Sequence, residues 1–159
     1  MILGLPILVF VHVVISLIAI VAGLPVVRAF LGNRISSWTP AFLLFTVLTT
    51  LTGFVLFDGL TPAFFTGLIS TAVLAAALYA FYGKGLVGPW RWIYVVSAMA
   101  AFYLNCFVLV VQSFLKIAPL HALAPTGGEP PFAAAQGVVL VAFIVFGWLS
   151  VKRFRGPAL

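Results

Sequence analysis

The stretch Leu3–Val27, with the sequence LGLPILVFVHVVISLIAIVAGLPVV, decides the fold of this chain. A helix that crosses the hydrocarbon layer of a bilayer needs about 20 mainly apolar residues, and this stretch carries one ionisable side chain, His12. The stretch is too long for the apolar core of a signal peptide, and no small-residue cleavage site follows it. We therefore expect a retained spanning helix.

Four further apolar stretches are also long enough to cross a membrane. The five predicted helices occupy about 3–27, 39–57, 63–83, 92–115 and 132–151. Prolines stand near the starts of helices two to five, where the missing N–H has no intrahelical partner. The shortest connection, 58–62, joins an aspartate, a glycine and a proline, as is typical of a tight hairpin. The sequence predicts one all-α transmembrane domain over 1–159, with an outer loop at 116–131.

The composition supports a membrane protein and excludes other classes. Hydrophobic residues make up 65% of the chain and charged residues 6%, whereas a soluble domain is about 45–50% apolar and about 25% charged. So few charges could not cover a soluble fold, which excludes a soluble enzyme, a disordered chain and a nucleic-acid-binding protein. The sequence contains no hydrolase, metalloprotease or phosphate-loop motif. The expected partner is the lipid bilayer, and no catalytic residue is predicted.

The cations predict the orientation. Seven of the eight Lys and Arg residues follow helices one, three and five or precede helices two and four: Arg28, Arg34, Lys84, Arg91, Lys152, Arg153 and Arg155. Lys116 and both acids, Asp58 and Glu129, fall on the opposite side. Since cytoplasmic loops carry the excess of Lys and Arg, the N-terminus is predicted outside and the C-terminus in the cytoplasm. This corresponds to a multi-pass protein of the cell inner (plasma) membrane.

Polar side chains gather in the predicted outer half of the helices. His12 lies 16 residues before Arg28, about 24 Å along a helix, and intramembrane ionisable groups indicate function. We predict a polar pocket in the outer leaflet, lined by His12, Ser16, Thr49, Asn105, Gln112 and Gln136. The alternative is that the small and hydroxyl residues only pack the helices together.

Three function classes remain open at this point. The first is a ligand-binding or accessory subunit, which holds a quinone or lipid-like ligand, or joins a larger membrane complex or a homo-oligomer. The second is a redox protein in which His12 binds haem b or a metal, with His121 as a further ligand. Asp58 and Glu129 also have side chains suited to zinc or copper. The third is a small permease or channel.

His12 stands before Ser16 and Gly23 in the first helix. This arrangement resembles one helix of small bacterial multi-spanning proteins that use such a histidine for haem or copper. The resemblance covers that helix alone. It implies a bacterial membrane and a haem or copper ligand at His12.

Overall fold

The structure is a computed structural model that describes residues 6–56 and 59–155. These residues form helices and connections without a β-strand. The helices are α1 (Ile7–Leu31), α2 (Thr39–Leu56), α3 (Pro62–Leu78), α4 (Trp90–Lys116), α5 (Ala118–Leu123) and α6 (Pro130–Arg153). In this part of the chain five helices, all but the short α5, are long and apolar enough to cross a membrane. The prediction of an all-α protein with five such helices is confirmed.

Some helix boundaries differ from the prediction because packing against other helices outweighs the effect of a single residue such as Pro25. α1 continues through Pro25 to Leu31, four residues beyond the predicted end, so that Arg28 lies in its last turn rather than in the first loop. The buried side chains of Val26 and Phe30 hold this last segment against the bundle. α3 continues as a π-helical turn over Tyr79–Gly83.

The remaining helices match the prediction more closely. The Thr61 side chain caps α3 by accepting a hydrogen bond from the Phe64 N–H at 3.3 Å. The predicted outer loop contains one short helix, α5, which was not predicted. Its six residues are too few to show a periodic pattern in the sequence.

α4 is the central helix, because it contacts α1, α2, α3 and α6. Small residues permit these close approaches, as Ala98 and Ala101 are almost fully buried. On the α1 side, Gly23 faces the ring of Phe102, and a Cβ atom at Gly23 would lie 2.7 Å from Phe102 Cε2. Only glycine permits α1 and α4 to approach this closely here.

The bundle has two unlike halves, which we call the cationic half and the loop half. The cationic half contains the end of α1, the starts of α2 and α4, the π-helical turn and the end of α6. Aromatic rings fill it: Phe30 packs edge-on against Tyr94 with ring centroids 5.5 Å apart, and against Phe154 at 5.3 Å. All three rings are at most 4% exposed. This half forms the dense core of the protein.

The loop half contains the start of α1, the end of α2, the start of α3 and the helix α5. In α1, every buried residue lies at Ala19 or later, and in α6 the one buried residue is Ser150 in the other half. Ring pairs such as Phe114 and Phe132, 5.4 Å apart, hold single helix pairs together here. In the loop half, the segments of α1 and α6 are therefore less buried than the segments of the same helices in the cationic half.

Candidate functional site

His12 meets a hydroxyl of the neighbouring helix. Its Nδ1 atom lies 2.8 Å from Oγ1 of Thr52 on α2. The Thr52 hydroxyl has one proton, and it lies 2.7 Å from the carbonyl oxygen of Leu48, one turn earlier in α2. We assign that proton to the Leu48 carbonyl, so that Thr52 accepts the Nδ1–H of His12. In this arrangement the His12 Nδ1–H, the Thr52 hydroxyl and the Leu48 carbonyl each have a hydrogen-bond partner.

The second ring nitrogen of His12 has a lone pair in this tautomer. Nε2 has no hydrogen-bond partner within residues 6–56 and 59–155, and the His12 side chain is half-buried. A neutral imidazole with a fixed Nδ1–H can accept a hydrogen bond at Nε2 or ligate a metal there. Nε2 of His12 is therefore the ring atom that is available to a ligand at this candidate site.

Thr52 was not among the predicted site residues. Its distance from the start of α2 at Thr39, 13 residues, corresponds to about 20 Å along the helix. His12 lies about 24 Å from Arg28 by the same measure, so the two side chains have similar depths. A search of the sequence for hydroxyl groups at the depth of His12 would have found Thr52, although not the rotation of α2 that turns it toward α1.

Ser16 lies on the same helix as His12 and one turn away. Its hydroxyl donates to the His12 carbonyl oxygen at 2.6 Å. The proton of Ser16 is thereby used within α1. The Ser16 oxygen retains lone pairs with which it can accept a hydrogen bond.

A second polar cluster connects α2, α3 and α4. The amide of Asn105 donates to Thr46 Oγ1 at 3.3 Å, and the fully buried Thr46 hydroxyl donates to the Phe42 carbonyl at 2.7 Å. Thr50 donates to the Thr46 carbonyl at 3.0 Å and lies 3.2 Å from the hydroxyl of Ser70. This chain of hydrogen bonds crosses three helices, as expected of polar groups that hold membrane helices together.

The predicted residues therefore do not form one hydrogen-bonded group in the described part of the chain. Gln136 on α6 donates to the Phe107 carbonyl on α4 at 3.2 Å, while its buried Oε1 has no partner among the described residues. The hydroxyl oxygen of Thr49 is buried and likewise has no partner among them. Gln112 is exposed and forms no hydrogen bond with the rest of the described chain.

The two histidines predicted as metal ligands belong to different elements, His12 to α1 and His121 to α5. Residues 6–56 and 59–155 contain no group of three or more His, Cys, Asp or Glu side chains that could hold a metal ion. His121 is exposed on α5, and Asp58 lies outside the described residues. His12 is the one predicted ligand in a spanning helix.

Glu129 instead organises the turn before α6. Its carboxylate accepts hydrogen bonds from the N–H groups of Thr126 and Gly128, each at 3.0 Å, and from the Thr126 hydroxyl at 2.9 Å. These hydrogen bonds lower the pKa of Glu129 below its ordinary value, and the bond from the Thr126 N–H contributes most. The residue has a structural role in this turn.

Comparison with known proteins identifies no relative of this chain. No protein-family model matches the sequence, and no curated protein or solved structure gives a significant match. The function is therefore inferred from the residues and their geometry.

Proposed function

We propose that this chain is a binding or accessory subunit that holds a lipid-soluble, hydroxyl-bearing ligand at His12 in the inner membrane of a bacterial cell. The observation that carries the proposal is the fixed imidazole, with Nδ1 directed at Thr52 and Nε2 without a partner in the described chain. The site lies in the loop half, where side chains are less tightly packed. Ligand pockets in apolar surroundings typically use one or a few such polar groups for orientation.

The distribution of charge supports the placement of the site in the outer leaflet. Seven of the eight Lys and Arg residues flank the cationic half of the bundle. By the positive-inside rule that half lies at the cytoplasmic surface, with the N-terminus outside and the C-terminus inside. The loop half, with His12 and Thr52, then lies in the outer leaflet.

The tautomer of His12 favours one redox form of a quinone-type ligand. Nε2 accepts a hydrogen bond, so its partner must donate one. A quinol presents phenolic O–H groups, whereas the oxidised quinone presents carbonyl oxygens that only accept. We therefore expect the reduced form to bind more tightly.

The proposal is tested by flow dialysis of a radiolabelled, short-tailed benzoquinol against the full chain in lipid nanodiscs, with empty nanodiscs as the reference. We expect saturable binding above that reference and weaker binding of the matching benzoquinone. His12→Phe should weaken quinol binding about two- to tenfold, because one neutral hydrogen bond contributes about 0.5–1.5 kcal/mol. Thr52→Val should weaken quinol binding less than His12→Phe does, because the substitution removes the acceptor that favours the Nδ1–H tautomer but leaves the imidazole in place.

His121→Gln is the matched control, because it removes the other histidine of the chain and leaves the membrane site unchanged. Binding equal to that of empty nanodiscs would refute the proposed function. Equal binding by the wild type and His12→Phe would show that the ligand lies elsewhere.

One observation also favours a second candidate, a haem b protein with His12 as an axial ligand. A ligating histidine usually donates its other ring N–H to a neighbouring group, as Nδ1 does to Thr52. The other histidine of the sequence, His121, lies on the short helix α5 and not in a spanning helix, so we expect a second axial ligand to come from another copy of the chain. Protein purified from haem-sufficient cells decides this: a Soret band lost in His12→Phe supports haem, and its absence in the wild type rejects it.

A further inference from the structure

A cavity of about 230 Å³ opens at the cationic half, between the end of α1 and the start of α2. Pro25, Arg28 and Ala29 line one side of it, and residues 34–37 line the other. We call it the first-loop pocket. It is far from His12 along α1, and neither the helix packing nor the proposed function uses it.

The first-loop pocket contains two cationic side chains without a protein partner. The guanidinium groups of Arg28 and Arg34 are exposed, and neither forms a hydrogen bond or an ion pair with another residue in the parts of the chain that the structure describes. Of the two acidic residues of the sequence, the one that the structure describes, Glu129, precedes α6 and binds the N–H groups of its own turn. Guanidinium groups bind phosphate through paired N–H donors, so this pocket is suited to an anion.

Backbone hydrogen bonds hold the two arginines around one space. The N–H of Arg34 donates to the Ala29 carbonyl at 2.9 Å, which folds the connection back on the end of α1. Asn33 adopts the left-handed conformation with φ 54°, and its side chain accepts the N–H of Arg155 at 2.6 Å. The pocket is thus formed by an anchored turn.

Further donors face the same space from the start of α2. The hydroxyl oxygen of Ser36 accepts the N–H of Trp38 at 3.1 Å, which leaves its proton free for a ligand. Ser37 also lines the pocket. The N-terminal end of α2, with its positive dipole, begins two residues later at Thr39.

An exposed apolar stripe on α1 extends from Arg28 toward the loop half. Leu24, Val21 and Leu17 stand four, seven and eleven residues before Arg28 on one helix face, and are 60%, 60% and 43% exposed. The stripe is about 16 Å long, at 1.5 Å per residue. A ligand with a phosphate in the pocket could lay an acyl chain along it.

We propose that the first-loop pocket binds the phosphate of an anionic phospholipid, with Arg28 and Arg34 on the phosphate and an acyl chain along Leu24 and Val21. Basic pockets between membrane helices bind phospholipid headgroups in this way. The unpaired arginines and the apolar stripe together select a lipid over a free phosphate. This lipid site is independent of the His12 ligand.

Native mass spectrometry of the full chain in detergent tests the proposal with short-chain phosphatidylglycerol as the probe. Phosphatidylcholine and glycerol phosphate serve as the other arms. We expect phosphatidylglycerol to bind at least about tenfold more tightly than either, because only it combines net negative charge with acyl chains. Binding of all three with the same affinity would overturn the proposal, and so would full displacement of the lipid by glycerol phosphate at equal concentration.

Two double variants separate a built pocket from general charge attraction. Arg28→Gln with Arg34→Gln should weaken phosphatidylglycerol binding about tenfold or more. Lys152→Gln with Arg153→Gln removes two charges from the same half but outside the pocket, where Lys152 lies over the Trp148 ring at 3.8 Å, and should change binding less than threefold. Equal losses in the two variants would overturn the proposal.

Discussion

The two halves of this bundle are built from the same kinds of helix and differ in what their side chains do. In the cationic half, the rings of Phe30, Tyr94 and Phe154 are at most 4% exposed and interlock. In the loop half, α1 has no fully buried residue before Ala19. His12, the one ionisable side chain of the first apolar stretch, lies in this second half.

The difference indicates a division of roles. Membrane helices associate through close packing and hydrogen bonds rather than through exclusion of water. The cationic half supplies that packing, and the hydrogen bonds around Thr46 and Asn105 extend it to the middle of α2 and α4. The loop half contributes fewer buried residues from α1 and α6, which is consistent with the ligand site that we propose at His12.

The largest expected effect on the free energy of unfolding is that of a substitution at Gly23. Gly23→Ala places a Cβ atom 2.7 Å from Phe102 Cε2, and Phe102 is held between Phe42 and Phe143 at 5.9 and 5.0 Å. We expect a loss of about 1–3 kcal/mol in the free energy of unfolding, as for other overpacked cores. SDS titration in mixed micelles measures it.

Gly137→Ala in the loop half of α6 is the matched control. A Cβ atom there meets no atom within 4 Å among the described residues. The higher helix propensity of alanine should leave stability unchanged or raise it by up to about 1 kcal/mol. Equal destabilisation by the two substitutions would show that the halves are packed alike.

A smaller effect is expected from two amides of α4. Asn105→Leu removes the hydrogen bond to the buried Thr46 hydroxyl and should cost about 0.6–1.7 kcal/mol, the range found for such bonds in membranes. Gln112→Leu, two turns later on an exposed position, should cost nothing measurable. The same titration measures both. If Gln112→Leu destabilises as much as Asn105→Leu, the loop end of α4 is packed more tightly than the structure shows.

The smallest effect concerns the turn before α6 and depends on pH. The lowered pKa of Glu129 means that the carboxylate supports the turn above the ordinary glutamate range and loses this role as the pH falls through the folded-state pKa. The protection factors of the Thr126 and Gly128 N–H groups, which correct the observed exchange rate for the intrinsic rate at each pH, should fall at low pH. In Glu129→Gln the same protection should not depend on pH. Identical profiles for the two proteins would contradict the assignment of this carboxylate.

The five long helices were predictable because an uninterrupted run of about 20 apolar residues is typical of a helix that crosses a membrane. The end of α1 was not, since the proline signal at Pro25 is local, whereas the burial of Phe30 depends on α4 and α6. α5 is too short to leave a pattern. Sequence patterns therefore indicated which segments form helices long and apolar enough to cross a membrane more reliably than where each helix ends.

The candidate site was predictable in part. His12 is the one ionisable residue of the first apolar stretch, so the sequence alone indicated it. Its partner Thr52 depends on how α1 and α2 rotate against each other, which is a tertiary property. Gln112 shares a helix stripe with Asn105, but the described structure buries Asn105 and exposes Gln112.

Solid-state ¹⁵N NMR of the two ring nitrogens of His12 tests the central claim most directly. The chain contains two histidines, so His121→Gln in lipid bilayers leaves only the ring signals of His12. We predict that Nδ1 carries the proton and Nε2 is unprotonated, and that Thr52→Val abolishes this preference. A proton on Nε2 with Nδ1 unprotonated would contradict the account, because the atom assigned to the ligand would then be a donor.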